Sequence, residues 1–279
     1  MNRTSRRLFV ATTIAGATAM ANPMPPLAAI AQEKPNTDKA STDKSKLSGI
    51  FVPAYFHPSG DNLSYWDDLV SAAAKVPLMV VINPNSGPGE KIDPAYPSVI
   101  AKLAKTKAQL LGYISTSYAK VPLEKAKADI AAWTKMYPEI QGYFLDEQTS
   151  DAGHVDYYRK LVAAAKAARP NGTVVSNPGN PCDAGYFAKG GPDVLCTFEN
   201  SSPLAEFKGD AISAAANRRI GLAHSLHPRA KLEPLLDLAA NKQLGWVFLT
   251  DGVMPNPWDR LPSFWDNLVA AVAARVQSA

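Results

Sequence analysis

The chain has 279 residues, 46% of them hydrophobic and 19% charged, which is apolar enough for a sizeable core and excludes a disordered polymer. Its formal charge of +4 sits at the amino terminus: residues 1–47 hold 7 Lys and Arg against 3 Asp and Glu, and the other 232 residues carry 22 of each. A neutral folded body lacks the basic stripe that a nucleic-acid partner would need, so no nucleic acid is expected.

The first element reads as an address. Ser5-Arg6-Arg7-Leu8-Phe9-Val10 has the twin-arginine form, a weakly apolar run from Ala11 to Ala21 follows, and Ala17-Thr18-Ala19 and Ala29-Ile30-Ala31 both fit a small-x-small cleavage site. Residues 1–31 are therefore read as a twin-arginine signal peptide, and the protein is expected to be periplasmic or secreted. Pro23, Pro25 and Pro26 interrupt the run before it reaches the roughly 20 apolar residues of a spanning helix, so no stable membrane insertion is expected. From Gln32 to Lys46 there is no aromatic or branched aliphatic residue, and residues 32–47 are expected to form a disordered linker.

Residues 48–279 alternate short apolar runs with amphipathic stretches. Eight runs predict strands: Gly49 to Tyr55, Leu78 to Ile82, Leu110 to Ser115, Gln141 to Leu145, Thr173 to Ser176, Val194 to Phe198, Ile220 to Ala223 and Trp246 to Thr250. Their near-continuous apolar character suits strands covered on both faces. Between them, Val155, Tyr158, Leu161, Val162 and Ala165 keep one helical face, ended by Arg169-Pro170. A last helix is expected over Leu261, Phe264, Trp265, Leu268, Val269 and Val272, behind a cap at Asn256-Pro257. The fifth and sixth connections, around Ala184 to Lys189 and Leu204 to Ala216, carry weak helical patterns. Eight strand–helix units predict an α/β fold, a single-domain (β/α)8 TIM barrel, with a monomer expected. An open doubly wound sheet often carries a glycine-rich loop after its first strand, and none is present. Cys182 and Cys196 could form a disulfide or remain two small thiols.

A barrel of this kind keeps its chemistry at the carboxyl ends of its strands. Those ends supply Asp146 with Glu147 after strand four and Glu199 after strand six. Carboxylates ending apolar strands are partly desolvated, and pairs of them serve glycoside hydrolysis, one protonating the leaving oxygen and one attacking or stabilising the anomeric carbon. The bland alternative pairs Glu199 with Arg218 or Arg219. Adjacent strand residues face opposite ways, so Asp146 and Glu147 reach the mouth together only if the strand ends between them. Asp146 and Glu199 are expected to face each other from opposite parts of the mouth. His57, Asn85, Asn177, His224, Asp251 and the rings of Tyr55 and Tyr113 are the candidate sugar-binding groups, with Tyr118, Tyr186 and Trp258 as further flat faces. The Asn83-Pro84 and Asn177-Pro178 segments are equally ordinary turn chemistry. His224 and His227 lack a third ligand, so no metal or cofactor is expected.

Gly49-Ile50-Phe51-Val52-Pro53-Ala54-Tyr55, Asn83-Pro84 through Gly87-Pro88-Gly89, Tyr143-Phe144-Leu145-Asp146-Glu147, Ser176-Asn177-Pro178-Gly179 and Phe198-Glu199 together resemble the spherulin-4-like, or spherulation-specific family 4, proteins. That resemblance implies a (β/α)8 barrel, an endo-acting hydrolase of α-1,4-linked N-acetylgalactosamine in galactosaminogalactan, and acidic active-site positions at Asp146, Glu147 and Glu199. In an α-linked 2-acetamido galacto sugar the leaving oxygen and the acetamido group are cis, so an enzyme carboxylate must attack or activate water. By analogy with retaining barrel hydrolases, Asp146 is assigned as nucleophile, Glu199 as general acid/base and Glu147 as a tuning group. The export signal implies a bacterial cell, so the expected partner is an amino-sugar exopolysaccharide of a biofilm matrix or a scavenged fungal wall. Two alternatives stand: a surface protein that binds polysaccharide without cleaving it, and a hydrolase of a different linkage. In a β-linked substrate Asp146 would orient the acetamido group and Glu147 would act as acid.

Overall fold

A computed structural model describes residues 47–201, 203–209 and 214–276. The expected signal peptide at 1–31 and all of the expected linker except Leu47 lie outside the described residues. Leu47 itself is buried, so the folded body takes in one residue of the segment assigned to the linker.

Eight strands form: β1 (Gly49–Ala54), β2 (Leu78–Ile82), β3 (Gln109–Ser115), β4 (Gly142–Asp146), β5 (Val174–Ser176), β6 (Val194–Asn200), β7 (Arg219–Ala223) and β8 (Trp246–Leu249). Each pairs in parallel with the next, and β8 returns to β1 through Gly49↔Trp246, which closes the barrel. All residues of β1, β2, β5, β7 and β8 are buried, as strands enclosed by a core on one side and helices on the other require. Inside, Phe144 packs against Phe51 at 5.3 Å and Tyr113 at 6.0 Å between ring centroids, forming an aromatic layer beneath the mouth.

The helices among the described residues are α1 (Leu63–Ala72), α2 (Tyr96–Ala104), α3 (Leu123–Met136), α4 (Val155–Ala168), α5 (Leu232–Asn241) and α6 (Trp265–Val276). On α4 the five residues of the predicted face are the ones buried. The last helix starts later than expected. Asn256 Oδ1 accepts from the Trp258 N–H in a local turn, and Pro255, Pro257 and Pro262 remove donors that a helix there would use. Leu261 and Phe264 are buried all the same, from the loop. The fifth and sixth connections hold only short 3-10 turns among the described residues, at Ala184–Tyr186, Leu204–Glu206 and Ala216–Arg218. On β3, a methyl group at Gly112 would stand 2.7 Å from the Trp133 ring of α3, and Trp133 Nε1 donates to Tyr113 O at 2.8 Å. This close approach fixes the strand that carries Tyr113. No disulfide joins Cys182 and Cys196.

Candidate active site

Side chains alternate along β4: Tyr143 Oη lies 2.9 Å from Thr134 Oγ1 of α3 on the outside, and Phe144 points into the barrel. Asp146, two residues beyond Phe144, therefore stands inside at the carboxyl end. On β6, Cys196 and Glu199 are an odd interval apart, which regular alternation would turn to opposite faces. The register shifts between Cys196 and Phe198, absorbing one residue at Thr197. Both side chains then point inward, and the charges of Glu199 and Asp146 act on the Cys196 thiol, whose pKa is raised first by burial.

Asn177 follows β5 and lies between the two acids. Its Nδ2 donates to Asp146 Oδ1 at 2.9 Å and to Glu199 Oε2 at 2.7 Å. The two N–H bonds of a planar amide diverge by about 120°, which sets the accepting oxygens about 5 Å apart. The carboxylates thus come from strands flanking β5 rather than from opposite parts of the mouth. They still share one space, because both side chains lean in toward the barrel axis.

Asp146 collects further donors. The Tyr55 hydroxyl lies 3.4 Å from Oδ2, and the Tyr113 hydroxyl and the Glu147 N–H are also directed at the carboxylate. Burial pushes the Asp146 carboxyl up from 3.8 to about 6, the Glu199 charge adds to the rise, and the bonds from Glu147, Tyr113 and Asn177 restrain it. Burial, followed by the Asp146 charge, raises both tyrosines, which keeps them protonated as donors.

The strand ends where the two acids need it to. Glu147 takes a left-handed φ of 57°, and its Oε2 turns back to accept from Ser115 Oγ at 2.8 Å. Such a conformation costs a residue with a Cβ roughly 1–2 kcal/mol. It is held by the β3–α3 loop: Thr116 Oγ1 lies 2.8 and 2.9 Å from the carbonyl oxygens of Asp146 and Glu147, and Tyr118 N–H donates to Glu147 O at 2.7 Å. Ser115 and Thr116 were visible as a polar strand end, yet nothing in the sequence gave them a role.

His224 ends β7, nearly buried, edge-on to Trp258 at 5.7 Å and with Nδ1 3.0 Å from Ser225 Oγ. Burial lowers its pKa against the pull of the Glu199 charge, so the ring is neutral near pH 7. The remaining candidates stand apart from the carboxylates. His57 is at the rim, paired with Asp93 at 3.0 Å and Ser59 at 2.9 Å. Asn85 is exposed on the loop after β2 and lines a shallow cleft with Lys91 and Asp93. Asn83 does the turn chemistry there, accepting from Gly87 N–H at 3.1 Å. Asp251 is tied to its own loop by Arg260 at 2.8 Å and Ser263 N–H at 3.1 Å; burial opposes its charge, but these bonds outweigh that and hold its carboxyl low.

Among the described residues no lysine or arginine forms an ion pair with Asp146, Glu147 or Glu199. The alternative pairing of Glu199 with Arg218 or Arg219 fails on position. Arg219 is in register with Leu195 at the amino end of β7, four residues below Glu199, and Arg218 donates to the carbonyls of Asp193, Phe187 and Pro192. Among the described residues no cluster of three His, Cys, Asp or Glu is arranged to hold a metal ion. A cleft of about 600 Å³ opens at the amino ends of β3, β4 and β5, lined by Gln109, Gln141, Arg169 and Thr173, on the far side of the barrel from the carboxylates.

Fold and site together define a (β/α)8 barrel with an amide-bridged carboxylate pair at its mouth. The chain belongs to spherulation-specific family 4, whose sequence model matches residues 49–272. It is 29% identical over 215 residues to Spherulin-4 of Physarum polycephalum, covering 73% of this chain and 63% of that protein, so it spans less than two thirds of the length of this relative. The crystal structure of Aspergillus clavatus Sph3 in complex with GalNAc is similar with a TM-score of 0.71 at 26% identity, over 82% of this chain and 99% of that one. A family 39 glycoside hydrolase from Bacteroides cellulosilyticus WH2 shares the fold, with a TM-score of 0.51 at 12% identity over 84% of this chain and 65% of that one.

Proposed function

We propose that this protein is an exported glycoside hydrolase that cleaves α-1,4-linked N-acetylgalactosamine within an exopolysaccharide, with Asp146 as nucleophile and Glu199 as general acid/base. The observation that carries this reading is the single amide of Asn177 bonded to both carboxylates. The resulting separation of about 5 Å matches the roughly 5–5.5 Å of retaining glycosidases and falls short of the roughly 6.5–9.5 Å of inverting ones. The GalNAc bound in the structure of Aspergillus clavatus Sph3 supports the choice of sugar.

The roles follow from the donors. Asp146 faces Tyr55, Tyr113, the Glu147 N–H and Asn177, donors that support its anion as the nucleophile, and Glu199 is assigned the proton of the general acid. Glu199 gives that proton to the leaving oxygen as Asp146 Oδ attacks the anomeric carbon, and a glycosyl ester forms with the C–O bond broken. Glu199, now ionised, takes a proton from water, the water oxygen attacks the anomeric carbon, and the Asp146 carboxylate leaves. Glu147, held by Ser115, adds negative charge beside the oxocarbenium-like transition state. The decisive test incubates the protein with α-1,4-linked N-acetylgalactosamine oligomers and follows products by mass spectrometry. Shortened oligomers are expected from the wild type and at least about a hundredfold fewer from Asp146→Asn and Glu199→Gln; near-normal turnover by either variant sinks the assignment.

A further inference from the structure

We infer that Asn177 is the positioning residue of the carboxylate pair: one neutral amide, donating both its protons, fixes the separation of Asp146 and Glu199 and supports the ionised form of the nucleophile. The kinetic consequence rests on the hydrolase reading given above; the electrostatic one rests on geometry alone.

The backbone over-determines this placement. Asn177 N–H donates to Leu145 O at 2.9 Å and Asn177 O accepts from Gln148 N–H at 2.9 Å, so the residue is stitched to β4 on both sides of the Asp146-Glu147 pair. Two residues on, Gly179 N–H donates to Cys196 O at 3.0 Å and Gly179 O accepts from Glu199 N–H at 3.0 Å, which stitches the same segment to β6. Gly179 makes the turn between these seams with a left-handed φ of 67°. Rotating the amide by half a turn would set its oxygen against two carboxylate oxygens, so its orientation is fixed. In that orientation Oδ1 is buried and has no hydrogen-bond partner among the described residues. An orphaned buried acceptor is costly, and a side chain selected for stability alone would be satisfied at both ends. A lysine or arginine in its place would neutralise the pair and strip it of its acid; an aspartate would repel it. A neutral double donor holds the two acids close without neutralising either.

The test compares the wild type with Asn177→Ala and with the isosteric Asn177→Asp, reading the pH dependence of kcat/KM on N-acetylgalactosamine oligomers and the 13C NMR titration of the Asp146 carboxyl. In the wild type the Asp146 carboxyl is expected to titrate near 6, and activity, which needs that carboxylate ionised as nucleophile, to rise through the same pH. Both variants lose donors, so both curves move to higher pH by about one unit, further in Asn177→Asp, and kcat falls about tenfold. Lowered melting with both curves unmoved would mean a packing role only and overturns the inference. If the wild type cleaves nothing and the carboxyl titration still shifts upward in both variants, the hydrolase reading falls and the positioning role stands.

Discussion

An aspartate whose carboxyl is raised from 3.8 to about 6 binds its proton more tightly in the folded chain than in the unfolded one. The stability linked to that proton is fully present below about pH 4 and is lost as pH rises through about 6. Above that, Asp146 stays ionised in a buried place beside Glu199, at a cost of about 1–3 kcal/mol. Asp146→Asn removes the charge and keeps the shape, so it is expected to raise the melting temperature at pH 7.5 by several degrees while abolishing turnover. The gain should shrink to nothing as the pH is lowered toward 4, where the wild-type carboxyl is itself neutral. Thermal unfolding followed across that range checks this, and a gain independent of pH would place the strain elsewhere. Candidate acids were legible in the sequence because they end apolar strands. Their partners were not: the amide of Asn177 reads equally well as a turn, and only the barrel reveals that it lies between two strands' acids.

The β3–α3 loop is the element that holds the mouth in shape. Ser117, Tyr118 and Ala119 follow one another with φ of 44°, 57° and 62°, three left-handed residues without a glycine among them. Strain of this kind persists where surrounding bonds impose it, here through Thr116 and the Tyr118 N–H to the backbone of Asp146 and Glu147. The same turn, whose Tyr118 N–H bonds the backbone of Glu147, leaves Tyr118 45% exposed, a flat apolar face of the type on which a sugar ring stacks. Tyr118→Ala is therefore expected to raise KM for oligomers about tenfold with kcat within about threefold, and Tyr118→Phe to leave both nearly unchanged. Steady-state kinetics decides it; an unchanged KM in Tyr118→Ala removes the ring from the binding face. Helices were legible where an uninterrupted apolar face was long enough, as on α4. They were not where prolines set the path, as before α6, or where a short turn replaces a helix, as after β5, because buried apolar residues in a compact loop mimic the spacing of a helix.

At the scale of the molecule, barrel closure turns a linear series of strand ends into a ring. The eight apolar runs made that ring legible: each predicted strand matches an observed one to within two residues at either end. The bulge at Thr197 was not legible, since no residue type signals it, yet without it Glu199 would point away from the mouth. Neighbouring strands in a sheet lie about 4.8 Å apart, so the ends of β4 and β6 are about 10 Å apart across β5, and two inward-leaning carboxylates close that gap to about 5 Å. Chemistry across such a gap has one stereochemical outcome. On the hydrolase reading proposed above, such a gap leaves no room for a water between the carboxylate and the anomeric carbon, so the carboxylate attacks and two inversions restore the starting configuration. The first sugar released from an α-linked oligomer is accordingly expected to be the α anomer, visible by 1H NMR at early times before mutarotation mixes the two forms. An initial β product would show that water attacks directly, and that the bridge across β5 opens on substrate binding to admit it.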